Sequence, residues 1–314
     1  MIQDKNFIIY GAGKKGRAYF QFLQKYGLES IIMCFCDKDA ENIGNIDSIP
    51  VVSYEDTIDM DLPFIVAIRS EIAEDVICQL KYDNRKFYFG LDKVVVDEFR
   101  LMPRLDYERE ICAISHIDTM DSYFEIAESE GAMEFFWSRQ SICYKLFKKL
   151  DLYNIVELAC GRGRHVQQYI SNAEHITLVD ILEKNIEICK HRFIDEDKVS
   201  YVVNNGYDLQ GLPDSQYTAL FTYDSMVHFE LLDIANYLKE AYRILKPGGR
   251  ALFHHSNNGS DYKASYDRAT ESRSFMSKEI FAYLAYRAGF EIEKQEIVDW
   301  VKPEMDCLTL VVKR

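Results

Sequence analysis

The sequence lacks an apolar run near the roughly 18 residues that a membrane-spanning helix requires, and it lacks repeats of fixed period and low-complexity tracts. The sequence also has fewer basic than acidic residues: it contains 37 Lys and Arg and 51 Asp and Glu, which gives a formal charge of −14. Because a surface of that sign repels phosphate backbones, we expect no nucleic-acid substrate. Because no apolar run is long enough, we also expect no membrane span. A small anionic ligand held by backbone amides remains compatible with this charge.

The eight cysteines contain no CxxC pair, and the two nearest in sequence, Cys34 and Cys36, fall on one face of a predicted strand. The first residues, MIQDKNFIIYGAG, carry charges early and break at glycine, unlike a secretory signal. We therefore expect a reduced, cytoplasmic protein. With 314 residues, 48% of them hydrophobic, the chain has room for two globular domains.

The first motif is NFIIYGAGKKG, in which a β-rich run, Phe7 to Tyr10, meets glycines at GxGxxG spacing and then an amphipathic segment. Such glycines let the backbone turn sharply and approach a diphosphate at a helix N-terminus. An acid at the end of the next strand suits a ribose diol. The candidate ligand residues are Gly11, Gly13, Lys14, Gly16 and Asp37.

This segment resembles the small N-terminal Rossmann-like domains of bacterial sugar-modifying enzymes, the nucleotide-sugar acetyltransferases among them. The resemblance implies that the loop receives a nucleotide-sugar diphosphate. The alternative is a scaffold that has lost its ligand and only packs or dimerises. Two further strands, Val51 to Tyr54 and Phe64 to Ile68, complete a predicted domain over residues 1–100.

The second motif is NIVELACGRGRH, where a strand over Ile155 to Leu158 meets a Gly-rich turn and then a predicted helix. Strands and helices alternate from there to the run RALFHHSNN, which predicts a mostly parallel, doubly wound sheet. The last two β-rich runs, around FEIEKQEIV and DCLTLVVK, are expected to pair antiparallel at one edge.

These signals resemble the class I S-adenosylmethionine-dependent methyltransferases over residues 135–314. The resemblance implies S-adenosylmethionine as cofactor, with the loop glycines around its methionine part, Glu157 facing its amino group and Asp180 holding its ribose. Ala159 departs from the family by replacing the usual first glycine. Asn205 and Asp208 both stand where the family contacts the adenine, and spacing does not separate them. The implied cofactor residues are Glu157, Ala159, Gly161, Gly163, Asp180, Ile181, Asn205, Asp208 and Tyr223.

The charges near the two loops differ, and this difference supports the ligands that the two resemblances imply. S-adenosylmethionine carries a sulfonium and an ammonium but no phosphate, so its loop needs carboxylates rather than lysines. Glu157 and Asp180 provide them, whereas Lys14, Lys15 and Arg17 of the first loop suit phosphates. The alternative is that both acids are helix caps or surface groups.

Polar residues cluster after two later strands: Asp224 and His228 in TYDSMVH, and His254 and His255 in FHHSNN. Because ligands bind beyond the carboxyl ends of parallel strands, we expect this cluster to face the methyl acceptor. A histidine is suited to removing the acceptor's proton. Our order of preference is His255, His228, then His254, with one of the adjacent pair structural. Asp224 orients a histidine or binds a hydroxyl. A metal site from the same residues lacks a supporting spacing such as HxxxH.

The stretch HHSNN also resembles a methyltransferase subfamily found among polysaccharide-modifying proteins. The polar and aromatic segment after it, GSDYKASYDRATESRSFM, is a candidate lid in which Tyr262 or Arg273 meets the substrate. The alternative is a solvated surface loop. Residues 101–150 have helical spacing and are expected to join the domains and cover the cofactor pocket, with Trp137 or Tyr144 near its opening.

The sequence therefore predicts an α/β protein with two Rossmann-like doubly wound domains, at 1–100 and 151–314, joined by a helical linker. The second is a class I methyltransferase fold with an antiparallel edge hairpin. The predicted activity is O-methylation of a sugar, nucleotide-linked sugar or glycan-related molecule, with nitrogen and carbon acceptors open. A nicotinamide-dependent oxidoreductase and a non-enzymatic ligand sensor are the alternatives, and homo-oligomerisation is left open.

Overall fold

A computed structural model describes residues 2, 5–68, 70–117, 120–264, 266 and 268–314. The chain forms two compact units. The N-terminal unit comprises Met1–Met120 and Ala264–Arg268, and the C-terminal unit comprises Asp121–Lys263 and Ala269–Arg314. The predicted linker over residues 101–150 is thus divided between the two units.

The N-terminal unit contains a mostly parallel sheet. Among the described residues its strand order is β3-β4-β2-β1-β5-β6, with only β3 and β4 antiparallel to each other. Its elements are β1 (Phe7–Tyr10), α1 (Lys14–Lys25), β2 (Ile32–Cys36), α2 (Ala40–Ile43), β3 (Asn45–Ile46), β4 (Ile49–Val52), β5 (Phe64–Val66), α3 (Ser70–Tyr82), β6 (Phe87–Phe89) and α4 (Arg104–Ile117).

Two glycines of the first motif, Gly11 and Gly16, lie where a side chain would not fit. Gly11 has φ 108°, and a Cβ there would lie 2.9 Å from the carbonyl oxygen of Ala67. A Cβ on Gly16 would lie 1.9 Å from the carbonyl oxygen of Gly11, so α1 packs directly on the turn that precedes it. Tyr19 and Phe22 of α1 are fully buried, which holds this helix on the sheet.

The C-terminal unit contains a second, larger sheet. In the described part of the chain its order is β12-β13-β11-β10-β7-β8-β9, parallel except where β13 pairs antiparallel with β11 and β12. Its elements are α5 (Met120–Ala127), α6 (Glu130–Trp137), α7 (Ile142–Phe147), β7 (Asn154–Leu158), β8 (His175–Asp180), α8 (Glu183–Arg192), β9 (Val199–Val203), β10 (Tyr217–Thr222), α9 (Leu231–Ile244), β11 (Leu245–Ser256), α10 (Lys278–Ala288), β12 (Phe290–Val298) and β13 (Asp306–Lys313). The predicted fold class, including the antiparallel edge hairpin, is confirmed.

One local prediction is wrong. The segment after the second Gly-rich turn forms two 3₁₀ turns, Val166–Gln168 and Ile170–Asn172, instead of an α-helix. Gly161 and Gly163 both have positive φ just before it. The segment itself mixes β-branched, aromatic and Asn residues, which are weak helix formers. The Gly-rich turn is therefore followed by a tight, irregular connection.

Parallel pairing brings the carboxyl ends of β7, β8, β10 and β11 to one edge of the sheet, and apolar cores cover both faces. Phe221 and Leu178 face one core, and Val156 and Leu220 face the other. Polar residues that follow these strands therefore lie along one edge. In the described part of the chain, no helix combines the length and apolarity that crossing a membrane requires.

Candidate active site

The turn after β7 is closely packed and partly strained. Gly161 has φ 54° and Gly163 has φ 75°. A Cβ on Gly161 would lie 2.8 Å from the ring of Phe124 in α5, and one on Gly163 would lie 2.6 Å from the ring of Phe193. Ala159 also has a left-handed φ of 54°, a conformation that costs a residue with a Cβ about 1–2 kcal/mol. The missing first glycine is therefore tolerated at the expense of strain.

Asp180, at the end of β8, holds this turn in place. Its Oδ2 accepts from the Gly161 amide at 2.8 Å, and its Oδ1 accepts from the Leu182 amide at 2.9 Å and from Asn185 Nδ2 at 3.1 Å. The carboxylate is buried. It thus satisfies backbone amides, as the capping alternative requires, and it lies beside the turn, as the predicted cofactor role requires.

Glu157 lies near the end of β7 and is also buried. Its Oε2 accepts from the Tyr169 hydroxyl at 2.6 Å. Burial raises the pKa of Glu157 to about 7, although the Tyr169 bond and the charges of Arg164 and Arg192 oppose this rise. A carboxylate in this state is readily held ionised by a cation placed near it.

Asn205 and Asp208 lie side by side after β9. Asn205 Nδ2 donates to Asp208 Oδ2 at 2.8 Å, and Asn205 Oδ1 accepts from the Asp208 amide at 3.0 Å. Ile181, 42% exposed, lies against this loop, because a Cβ on Gly206 would be 2.7 Å from Ile181 Cδ1. The structure therefore brings both predicted adenine contacts together beside an exposed apolar side chain.

Asp224 follows β10 with φ 57°. It forms a polar cluster with two residues that the sequence analysis did not select: Arg164, whose side chain is 6% exposed, and Tyr123, which is 39% exposed. Arg164 Nη2 lies 2.8 Å from Asp224 Oδ2, and the Tyr123 hydroxyl donates to the same oxygen at 2.6 Å. Burial alone would raise the pKa of Asp224, but the charge of Arg164 and the hydrogen bond from Tyr123 hold that pKa below its ordinary value. The only sequence signal for Arg164 is its place in GRGRH, directly after the Gly-rich turn.

His254 is a fixed, buried link between strands. Its Nδ1 accepts from the Asp224 amide at 3.0 Å, so the neutral ring carries its proton on Nε2. That nitrogen lies 3.3 Å from Asp306 Oδ2, without the alignment of a hydrogen bond. Arg273 pairs with both oxygens of Asp306, at 3.0 and 2.7 Å. The predicted lid role of Arg273 is therefore corrected: its side chain is buried in an ion pair, whereas Tyr262 is 71% exposed.

His255 lies in the core, which contradicts its place as the first candidate base. Its ring stacks on Phe281 at 3.9 Å with an interplanar angle of 3°. Its Nδ1 donates to the Ser256 carbonyl at 2.8 Å, so its Nε2 accepts from the Thr309 hydroxyl at 2.8 Å. Burial lowers the pKa of His255 to about 3. The two adjacent histidines contact different partners, His254 stacking on Tyr223 and His255 on Phe281, and both rings are buried.

His228 is the partly exposed histidine of the predicted set. It lies in a 3₁₀ turn, Met226–His228, after β10. Its Nδ1 lies 2.8 Å from the Ser272 carbonyl, and because a carbonyl only accepts, Nδ1 carries the proton. The neutral ring then has its lone pair on Nε2, the tautomer that a general base needs. Tyr223, another predicted residue, is buried and stacks on His254 at 4.4 Å.

In the N-terminal unit, Asp37 Oδ2 accepts from the Ala12 amide at 2.7 Å, the same kind of contact that Asp180 makes with Gly161. Gly13 and Lys14 are exposed at the start of α1, where no described side chain caps the helix. Lys15 Nζ donates to the Ile68 carbonyl at 3.1 Å.

Within the described ranges, no group of three or more His, Cys, Asp or Glu residues has an arrangement that would hold a metal ion.

Residues 156–253 match a protein-family model described as "Methyltransferase domain". Solved structures with a similar fold include an S-adenosylmethionine-dependent methyltransferase from Mesorhizobium loti, at 15% identity over 55% of this chain and 97% of that chain, with a TM-score of 0.46. A second from Aquifex aeolicus has 14% identity over 62% and 98%, with a TM-score of 0.47. The PH0226 protein from Pyrococcus horikoshii OT3 has 19% identity over 62% and 100%, with a TM-score of 0.44.

Proposed function

We propose that this chain uses S-adenosylmethionine to methylate a hydroxyl of a sugar, a nucleotide-linked sugar or another glycan-related small molecule. The match of residues 156–253 to a methyltransferase-domain model supports the methyl-transfer part of this proposal. The observation that carries the cofactor part of the proposal is the pair of buried carboxylates, Glu157 and Asp180, beside a turn of positive-φ glycines. Buried carboxylates are costly unless they are paired or hydrogen-bonded, and a cationic ligand offsets that cost.

The proposed contacts follow from this placement. Glu157 faces the ammonium group, and Asp180, which already orders the Gly161 amide, accepts from the ribose hydroxyls. Ile181 offers an apolar surface for the adenine, with Asn205 and Asp208 at its edge. S-adenosylmethionine supplies an electrophilic methyl carbon when bound. The protein's part is then to align an acceptor oxygen with it and to remove one proton.

We propose that His228, rather than His255, is the general base that removes the proton from the acceptor oxygen. The bond from His228 Nδ1 to the Ser272 carbonyl fixes the ring in the tautomer that has its lone pair on Nε2. Asp224 is a weaker base, because the charge of Arg164 helps to hold its pKa below the ordinary value. Its carboxylate, with the Tyr123 hydroxyl, is suited to receiving hydrogen bonds from the acceptor's other hydroxyls.

The loop of the N-terminal unit is proposed to bind a nucleotide or a nucleotide sugar. The loop makes a tight turn at Gly11, and the Asp37 carboxylate accepts a hydrogen bond from its Ala12 amide. Lys14 is exposed at the start of α1, where no described side chain caps the helix. The nicotinamide-dependent and non-enzymatic alternatives are not favoured, because the methyltransferase match and the carboxylates of the second loop explain more of the chain.

The test is native mass spectrometry of the purified protein with S-adenosylmethionine, NAD or UDP-glucose added separately. We expect retention of S-adenosylmethionine and of the nucleotide sugar. A panel of sugar acceptors with methyl-labelled cofactor then identifies the product. Retention of NAD alone would favour the oxidoreductase alternative, and retention of none would refute the proposal.

A further inference from the structure

Trp300 lies in the turn between β12 and β13, and the strand register places this turn at the edge of the sheet that carries the candidate site. Val298 ends β12 opposite Asp306 of β13, and Asp306 lies opposite Ser256, the last residue of β11. Trp300 therefore follows a strand that ends at the same edge as the parallel strands. Ligands of such sheets bind at this edge.

The Trp300 indole is held by neighbours and lies beside an exposed aromatic ring. Phe136 of α6 lies nearly parallel to it, with centroids 6.0 Å apart and an interplanar angle of 8°. The Arg273 guanidinium lies 5.5 Å from its centroid. Phe135 approaches it edge-on at 6.3 Å and is 61% exposed.

Phe136, which packs against Trp300, also contacts residues of the polar cluster around Asp224. Phe136 contacts Tyr223 at 4.9 Å, and the Arg164 guanidinium lies 5.5 Å from the Phe136 ring centroid. Arg164 in turn pairs with Asp224. An apolar surface thus lies next to a carboxylate, a guanidinium and a phenol at one sheet edge.

We propose that Trp300 and Phe135 form an aromatic platform that holds the ring of a hydroxylated sugar acceptor. The proposal rests on the methyl-transfer function above and names the residues that select its substrate. A sugar ring has an apolar C–H face, which suits an aromatic surface, and a rim of hydroxyls, which need hydrogen-bonding partners. Trp300 and Phe135 supply the first, and the cluster of Tyr123, Arg164 and Asp224 supplies the second.

The chain has two tryptophans, Trp137 and Trp300, so the variant Trp137→Phe makes Trp300 the sole indole reporter. Its fluorescence is titrated with neutral, amino and uronic methyl glycosides up to tens of millimolar, with S-adenosylhomocysteine present. Cyclohexanol, a ring of similar size with one hydroxyl, is the matched control ligand. We expect a saturable change with at least one glycoside class and none with cyclohexanol at the same concentration.

The variant Phe135→Ala, added to Trp137→Phe, should weaken glycoside binding at least fivefold. Ile126→Ala is its control, because Ile126 of α5 is also exposed and apolar, at 72%, but is not part of the platform. The platform would be refuted if the Trp300 fluorescence responded equally to cyclohexanol, or if it did not change with any glycoside. It would also be refuted if Phe135→Ala and Ile126→Ala weakened glycoside binding equally. Calorimetry with S-adenosylmethionine on the same proteins separates the two proposals: lost cofactor binding refutes the methyl-transfer function, whereas retained cofactor binding with silent glycosides refutes only the platform.

Discussion

Arg164 Nη2 lies 2.8 Å from Asp224 Oδ2, and the two side chains are only 6% and 8% exposed. This ion pair joins the connection after β7 to the residue that follows β10. Arg164 also donates to the Ala127 carbonyl at 3.3 Å, and the Tyr123 hydroxyl bonds to both members of the pair. The pair therefore fastens α5 over the Gly-rich turn, where Phe124 already contacts Gly161.

Replacing Arg164 with Met should destabilise the protein strongly. Among the described partners of the Asp224 carboxylate, the substitution leaves the Tyr123 hydroxyl, and breaking a buried pair from one side costs about 3–5 kcal/mol. We expect a loss of this order in the free energy of unfolding, measured by urea titration. The control is Arg314→Ala, which breaks an exposed pair with Glu291 and should cost less than about 1 kcal/mol. Equal losses in the two variants would show that the buried pair has no special weight.

Glu157 should make the stability of the ligand-free protein depend on pH. Its pKa is about 7 in the folded state against an ordinary 4.5. Between these values the folded state keeps a proton that the unfolded chain has released, so the Glu157 contribution to stability falls as pH rises through this window. The full effect is on the order of 3 kcal/mol at 1.36 kcal/mol per pKa unit.

The measurement is the difference in unfolding free energy between Glu157→Gln and the wild type at pH 5, 6, 7 and 8. Because Gln still accepts from the Tyr169 hydroxyl, the difference isolates the charge, and it should shift in favour of the variant as pH rises. Added S-adenosylmethionine should raise the wild-type melting temperature more at pH 8 than at pH 5.5, and the variant should lack this trend. A difference that stays constant across the four pH values would contradict the raised pKa of Glu157.

Ala159 provides a test of backbone strain. Its φ of 54° is a conformation that glycine adopts freely. Ala159→Gly should therefore stabilise the protein by about 0.5–1 kcal/mol, the left-handed penalty less the added freedom of glycine in the unfolded chain. Thermal and urea unfolding would measure this. The control is Ala241→Gly inside α9, which should destabilise by about 1 kcal/mol, and destabilisation by both changes would contradict the strain assignment.

Short-range residue spacing was enough to predict most strands, the Gly-rich turns and the two doubly wound sheets. Strand ends, the turns at Gly11 and Gly161, and the acids Asp37 and Asp180 all follow from short-range spacing, and the alternation of elements predicts the doubly wound sheets. The same spacing placed Asn205 and Asp208 together, as the structure has them.

What sequence reasoning missed depends on contacts between distant segments. Tyr123 and Asp224 are 101 residues apart, and Arg164 and Asp224 are 60 apart. The end of β11 predicts His255 at the mouth of the site, but Phe281 of α10 covers that side of the strand and stacks on the His255 ring. No periodicity in a single sequence shows which side of a strand a later helix will cover.

The two histidines separate by experiment, because their surroundings predict opposite effects. His228→Ala should slow turnover at least tenfold, about 1.4 kcal/mol in barrier height, with little change in cofactor affinity or melting temperature. His255→Ala should instead destabilise the protein by about 2–4 kcal/mol, since it removes a buried ring stacked on Phe281 and leaves the Thr309 hydroxyl without that partner. Single-turnover rates with the acceptor found by screening, calorimetric cofactor affinity and urea unfolding are compared for both. If His255→Ala unfolds like the wild type yet turns over slowly, the base assignment returns to His255; if His228→Ala turns over at the wild-type rate, His228 is only a surface residue that bonds to Ser272.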